Sequence, residues 1–183
     1  MKATNDRLYD FYERLYFWEL KNRDRITNRV SLMLVLVLAL CGLESYLINM
    51  FPRKNIMPID VLSSVSLLAS MATLLVAVVY IVRAWHGLLY AHLPAANKLE
   101  KHRDELRVTG PMRYRGEGID DVVAGEMGDD LLHYFVDCAS HNYEVNKKKS
   151  RWLYLSFRWI LWSFASGVLC FLVLKLREIL VAS

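Results

Sequence analysis

Three long apolar runs interrupt an otherwise charged chain. They are Ser31–Asn49 (SLMLVLVLALCGLESYLIN), Val61–Val82, which carries no charge at all, and Trp152–Leu174, whose charge-free part is Trp159–Leu174. A helix of about 20 apolar residues crosses a bilayer core of ~30 Å. The pattern therefore predicts an all-α integral membrane protein with three transmembrane helices, long cytoplasmic helical extensions, and a glycine-rich loop or small hairpin. The third run is short. Arg158 and Lys175 can reach the two interfaces from its ends, and Trp152, Tyr154, Trp159 and Trp162 suit headgroup depth. An amphipathic re-entrant helix is the alternative there.

Polar positions inside the runs recur at helical spacing. In the second run Ser63, Ser66, Ser70, Thr73 and Ala77 fall every three or four residues, on one face of a helix. The third run repeats the motif with Ser156, Ser163, Ser166, Gly167 and Cys170, and the first adds Gly42, Ser45 and Asn49. Small and hydroxyl residues let membrane helices approach closely, and they also line water-filled paths. On the pore reading Ser63, Ser66, Ser70 and Thr73 line the path, and Glu44, the one acid within an apolar run, joins them. Three helices do not enclose such a path alone. A pore requires a closed homo-oligomer, with a tetramer favoured. An acid within a membrane costs ~3 kcal/mol and marks a functional position by default. The competing reading places Glu44 near the outer interface, facing Arg53.

Between the runs the chain is polar but still helical in pattern. Asp6–Arg29 reads as an uninterrupted helix entering the first run, with Leu8, Phe11, Leu15 and Trp18 on one stripe and Tyr9, Tyr12 and Tyr16 beside it. Such a helix suits a membrane surface or a neighbouring subunit. Ala84–Val108 continues the second run as a helix kinked at Pro94, and its last turns alternate charge. Five of the eight glycines, at 110, 116, 118, 125 and 128, follow within nineteen residues. They predict a flexible loop or a hairpin of Met112–Arg115 with Ile119–Ala124. A helix over about Asp129–Lys149 leads into the third run. The resulting segments are 1–30, 31–83, 84–150 and 151–183.

Charge sets an orientation. Seven Lys and Arg precede the first run, two lie between the first and second, and eleven lie between Arg83 and Arg151. Positive-inside bias puts the N-terminus and the middle region in the cytoplasm, with loop 50–60 and the C-terminus outside. The N-terminus has no secretory-signal pattern, so the first run is expected to act as an uncleaved anchor. Cys41, Cys138 and Cys170 form no disulfide or zinc spacing and read as reduced.

Candidate ligand contacts come from basic and aromatic residues. Arg25 and Arg29 lie on one face of the N-terminal helix, and Lys147, Lys148 and Lys149 precede the third run. Arg113 and Arg115 flank Tyr114, and Trp85 closes the second run. Anchoring to anionic lipid explains the charges beside the runs. The Arg113-Tyr114-Arg115 triplet, far from any run, suits a nucleotide or a single-stranded nucleic acid, because arginines meet phosphates and aromatics stack on bases. His133, Asp137 and His141 fall at i, i+4 and i+8. Three ligands over two turns do not reach one ion unaided, so no metal is assigned. No nucleophile elbow, phosphate loop or glycine fingerprint is present, and neither an enzymatic activity nor a cofactor is expected.

The layout of residues 5–107 carries a resemblance. A charged helix (YDFYERLYFWELKNRDRITNRVS) enters a first span, and a short outer loop and a second span follow. A charged helix (NKLEKHRDELR) then returns to the cytosol. This looks like the SLATT-type membrane effectors of bacterial antiphage systems, and it is similar to the channel-like membrane effector of Hailong systems. The resemblance implies a pore-forming effector of the bacterial inner membrane, controlled by a nucleotide or single-stranded DNA oligomer, with a nucleotidyltransferase encoded nearby. The third span and the glycine-rich stretch depart from the plain two-span pattern.

Overall fold

The computed structural model of the chain describes residues 2–51, 58–113 and 118–182, with the side chains of 2–6, 110–113, 119 and 182 left out. Every regular element among them is an α-helix: α1 Lys2–Met50, α2 Pro58–Trp85, α3 Ala96–Arg113 and α4 Ile119–Ala182. Stretches of α1, α2 and α4 are long and apolar enough to cross a membrane.

The chain forms two compact units. One comprises Met1–Arg23 and Leu88–Asn146, the other Asp24–Gly87 and Lys147–Ser183. The second unit is a bundle of α2 with the C-terminal parts of α1 and α4. Its buried positions follow a three-then-four spacing on all three helices. On α1 these are Ile26, Val30, Val37, Leu40, Glu44 and Leu47; on α2, Asp60, Ser63, Leu67, Ser70, Leu74, Ala77, Ile81 and Ala84; on α4, Leu153, Ser156, Ile160, Ser163, Gly167, Cys170 and Leu174. A repeat of 3.5 residues holds one seam of each helix toward its neighbours. The seam mixes apolar side chains with hydroxyls and acids, while Leu34, Val35, Leu38, Leu62, Val65, Leu68, Leu75, Leu161, Phe164 and Leu172 are exposed on the outside. That is the arrangement a lipid solvent rewards, since apolar side chains gain little by leaving lipid and polar ones gain partners inside.

In the first unit Tyr16, Phe135, Cys138 and Ala139 form a small core. Phe135 meets Tyr9 and Tyr16 edge-on, at 5.4 and 5.7 Å between ring centres.

Two expectations are corrected. The kinked helix over 84–108 is instead a break: α2 stops at Trp85, Gly87 takes φ +121°, and α3 begins at Ala96. The left-handed glycine turns the chain, and Pro94 restrains its predecessor and lacks a donor, so the helix does not resume until past it. The hairpin does not form either. Residues 112 and 113 end α3 and residues 119–124 open α4, while Tyr114 and Arg115 lie outside the described residues. Asp120 and Asp121 sit in the first turn of α4, where carboxylates favour a helix start. Val123 is buried there, and its burial works against the roughly 1 kcal/mol that each helical glycine costs.

A buried polar cluster as the candidate functional site

Inside the bundle α1, α2 and α4 bring one acid and several hydroxyls together. Glu44 is 6% exposed, Ser70 1% and Ser163 0%. The Ser70 hydroxyl lies 2.7 Å from Glu44 Oε1, positioned to donate to it, and 3.0 Å from the main-chain oxygen of Ser163. Its oxygen is also 3.1 Å from Ser163 Oγ. One turn away, Ser66 donates to the main-chain oxygen of Ser166 at 3.2 Å. Gly167 faces this cluster, with room for no more than ordinary van der Waals contact. A Cβ there would already touch Leu43 Cδ2 at 3.5 Å and Ser70 Oγ at 3.6 Å.

The remaining hydroxyls of the α2 stripe serve their own helix. Ser63 donates to the carbonyl of Ile59 at 3.1 Å, and Thr73 lies within reach of the carbonyls of Ala69 and Ser70. Of the residues expected to line a path, Ser63, Ser66, Ser70 and Glu44 are therefore enclosed by helices of the same chain, and Thr73 is half-buried. The stripe is occupied by packing in this conformation. Arg53, the alternative partner of Glu44, lies outside the described residues.

At the N-terminal end of α2, Asp60 and Arg177 form an ion pair at 2.7 Å with side chains 6% and 16% exposed. The sequence reading missed this pair. It also missed a second buried acid, Glu19, in the first unit. Glu19 is 1% exposed, and its Oε2 accepts from Asn146 Nδ2 at 2.7 Å. Asn146 also donates to the main-chain oxygen of Glu19 and accepts from the Tyr90 hydroxyl at 2.7 Å. The signal was present: Tyr16, Glu19, Ile26, Val30, Val37, Leu40, Glu44 and Leu47 all fall on one 3.5-residue frame, which puts both acids on the seam.

The expected ligand residues are distributed differently. Arg25, Arg29 and Trp85 are exposed, as are Lys147 and Lys148, whereas Lys149 is buried. Three successive helical residues point about 100° apart, so the lysines form no single patch. Arg113 belongs to α3 but its side chain is not among those described, nor are Tyr114 and Arg115. His133 Nδ1 meets the carbonyl of Asp129 and His141 Nε2 that of Leu89, each at 2.9 Å. Among the described residues no cluster of His, Cys, Asp or Glu could hold a metal.

The first unit has a cleft of about 410 Å³ lined by Tyr9, Arg103, Arg107, Asp120, Met127 and Gly128, among others. Burial, then the nearby Glu13 and Asp10, push the Tyr9 phenol above its usual range, so it stays a neutral hydroxyl. Arg107 pairs with Asp120 at 3.1 Å and Arg103 with Glu100 at 2.6 Å.

No protein-family model matches the chain, and neither a curated protein nor a solved structure matches it.

Proposed function

We propose that the chain is a homo-oligomeric, pore-forming membrane effector of bacterial antiphage defence, held shut in this conformation. A nucleotide or oligonucleotide bound on its cytoplasmic side gates it. The observation that carries the reading is Glu44, an acid buried among hydroxyls in a segment suited to a membrane. Such an acid is costly there, and the hydroxyls that receive it are groups a hydrated path uses. The layout shared with SLATT-type effectors supports the biological setting, and the exposed Arg25, Arg29, Lys147 and Lys148 support an anionic ligand. A ligand gates only by binding open and closed forms unequally.

One observation favours a second reading, a non-conducting adaptor subunit. Ser63, Ser66 and Ser70 are spent on helix packing, while Leu8, Phe11, Phe17 and Trp18 stay exposed on α1 as contact surface for a protein partner.

Ion flux from liposomes containing the purified protein separates the two. The pore reading expects flux that changes on adding nucleotides or DNA oligomers, and a cation selectivity that Glu44→Gln alters. No flux in any condition, from protein that crosslinking shows to be inserted and oligomeric, leaves the adaptor.

A further inference from the structure

The cleft of the first unit holds more positive charge, and more donors, than its own acids use. We infer that it is a binding site for a small organic phosphate, one phosphate group carried on a planar or apolar body. This deepens the reading above. It rests on that reading for the consequence of binding, while the site itself follows from the cleft.

Three helices line it. Tyr9 comes from α1, Arg103 and Arg107 from α3, and Asp120, Met127 and Gly128 from α4. Arg103 and Arg107 are one turn apart, so they share a face of α3. Against these two guanidiniums the lining sets a single carboxylate, Asp120. The present ion pairs hold the arginines weakly. Arg107 and Asp120 are 50% and 85% exposed, and Arg103 and Glu100 are 44% and 59% exposed. Exposed pairs contribute little to stability. A phosphate ester carries about two negative charges at neutral pH and several acceptor oxygens. It therefore displaces a lone carboxylate from either arginine at small cost.

Arg103 supplies a second observation. Its Nε is buried and has no hydrogen-bond partner among the described residues. An unpaired buried donor is unfavourable. Nε and a terminal nitrogen together form the fork that phosphate oxygens fit, so Arg103 keeps an unused donor at the wall of the cleft.

The rest of the lining suits the body of the ligand. Val123, Met127 and Leu131 are apolar, and a Cβ on Gly128 would meet nothing within 4 Å, which leaves open space beside them. Phe135 braces the Tyr9 ring edge-on at 5.4 Å. The Tyr9 phenol keeps its proton, so it meets an anion as a donor. A volume of about 410 Å³ falls among small-molecule sites and takes one nucleotide-sized body rather than a run of bases.

The test is calorimetric titration of the full chain in detergent. The probes are the four 5′-ribonucleoside monophosphates and phenyl phosphate. The wild type should bind at least one of them, about tenfold or more tighter than inorganic phosphate or the matching phosphate-free compound. Arg103→Gln with Arg107→Gln should weaken that binding about tenfold or more. Gly128→Leu keeps both arginines and replaces a helical glycine with a better helix former. It should melt no lower than the wild type without ligand, yet lose the binding because the open space is filled. Preference for a nucleotide assigns that class, and equal binding of phenyl phosphate assigns planar phosphate esters at large. No binding of any probe at millimolar concentration overturns the inference. So does binding that both variants leave unchanged, which moves a nucleotide to another surface and spares the gating reading. Binding that the variants abolish, in a protein whose ion flux ignores nucleotides, keeps the cleft and sinks the gating reading instead.

Discussion

Asn142 is fully buried and uses both ends of its amide on one residue. Its Oδ1 accepts from the Ala91 N–H at 2.8 Å, and its Nδ2 donates to the Ala91 carbonyl at 3.0 Å. A side-chain amide thus stands in for the helical partners that the break after α2 takes from the backbone. Asn142→Leu leaves both main-chain groups unpaired and should cost about 2 kcal/mol in thermal or denaturant unfolding. The Asp60–Arg177 pair obeys a different rule. Removing one partner strands a buried charge, so Arg177→Met should destabilise by ~3 kcal/mol, whereas Asp60→Asn with Arg177→Met should cost less than the two single changes summed. Strict additivity in that double-mutant cycle would mean the two charges do not act as a unit.

The elements owe their ends to a few residues. Gly87, at φ +121°, holds a conformation that L side chains rarely adopt, so Gly87→Ala should destabilise by about 1 kcal/mol or more. Gly125 and Gly128 lie inside α4, where an added Cβ meets nothing within 4 Å. Gly125→Ala and Gly128→Ala should each stabilise by roughly 0.5–1 kcal/mol, seen as a higher melting temperature. No gain at either site would indicate that helix there is absent in solution and that the glycine-rich stretch is a loop after all. The apolar runs predicted the helices well because their periodicity is a local property. The hairpin expectation failed because glycine content weakens a helix without forbidding it, and the burial that decides the outcome is supplied by residues distant in sequence, as Tyr9 and Tyr16 do for Phe135.

At the scale of the whole molecule, the α2 hydroxyl face meets α1 and α4 of its own chain. Ser66 donates to the main chain at Ser166, so Ser66→Cys with Ser166→Cys, in a background lacking the exposed Cys41, should crosslink within one chain. Ser66→Cys alone should stay monomeric on a denaturing gel. If that single variant instead forms dimers efficiently, the stripe lies on an axis between subunits and the bundle described here is rearranged in the assembly.

Spacing alone established that α1, α2 and α4 are helices with outward apolar surface, and that Ser63, Ser66 and Ser70 share one face. It also placed Glu44 within an apolar run. What that face meets was decided only in three dimensions. A stripe of small hydroxyls has the same spacing whether it faces a lumen, a second subunit or the backbone of α4, since periodicity records direction and not partner. Gly167 opposite Ser70, and the Ser70 hydroxyl set between Glu44 of α1 and Ser163 of α4, became visible only when the three helices were brought together.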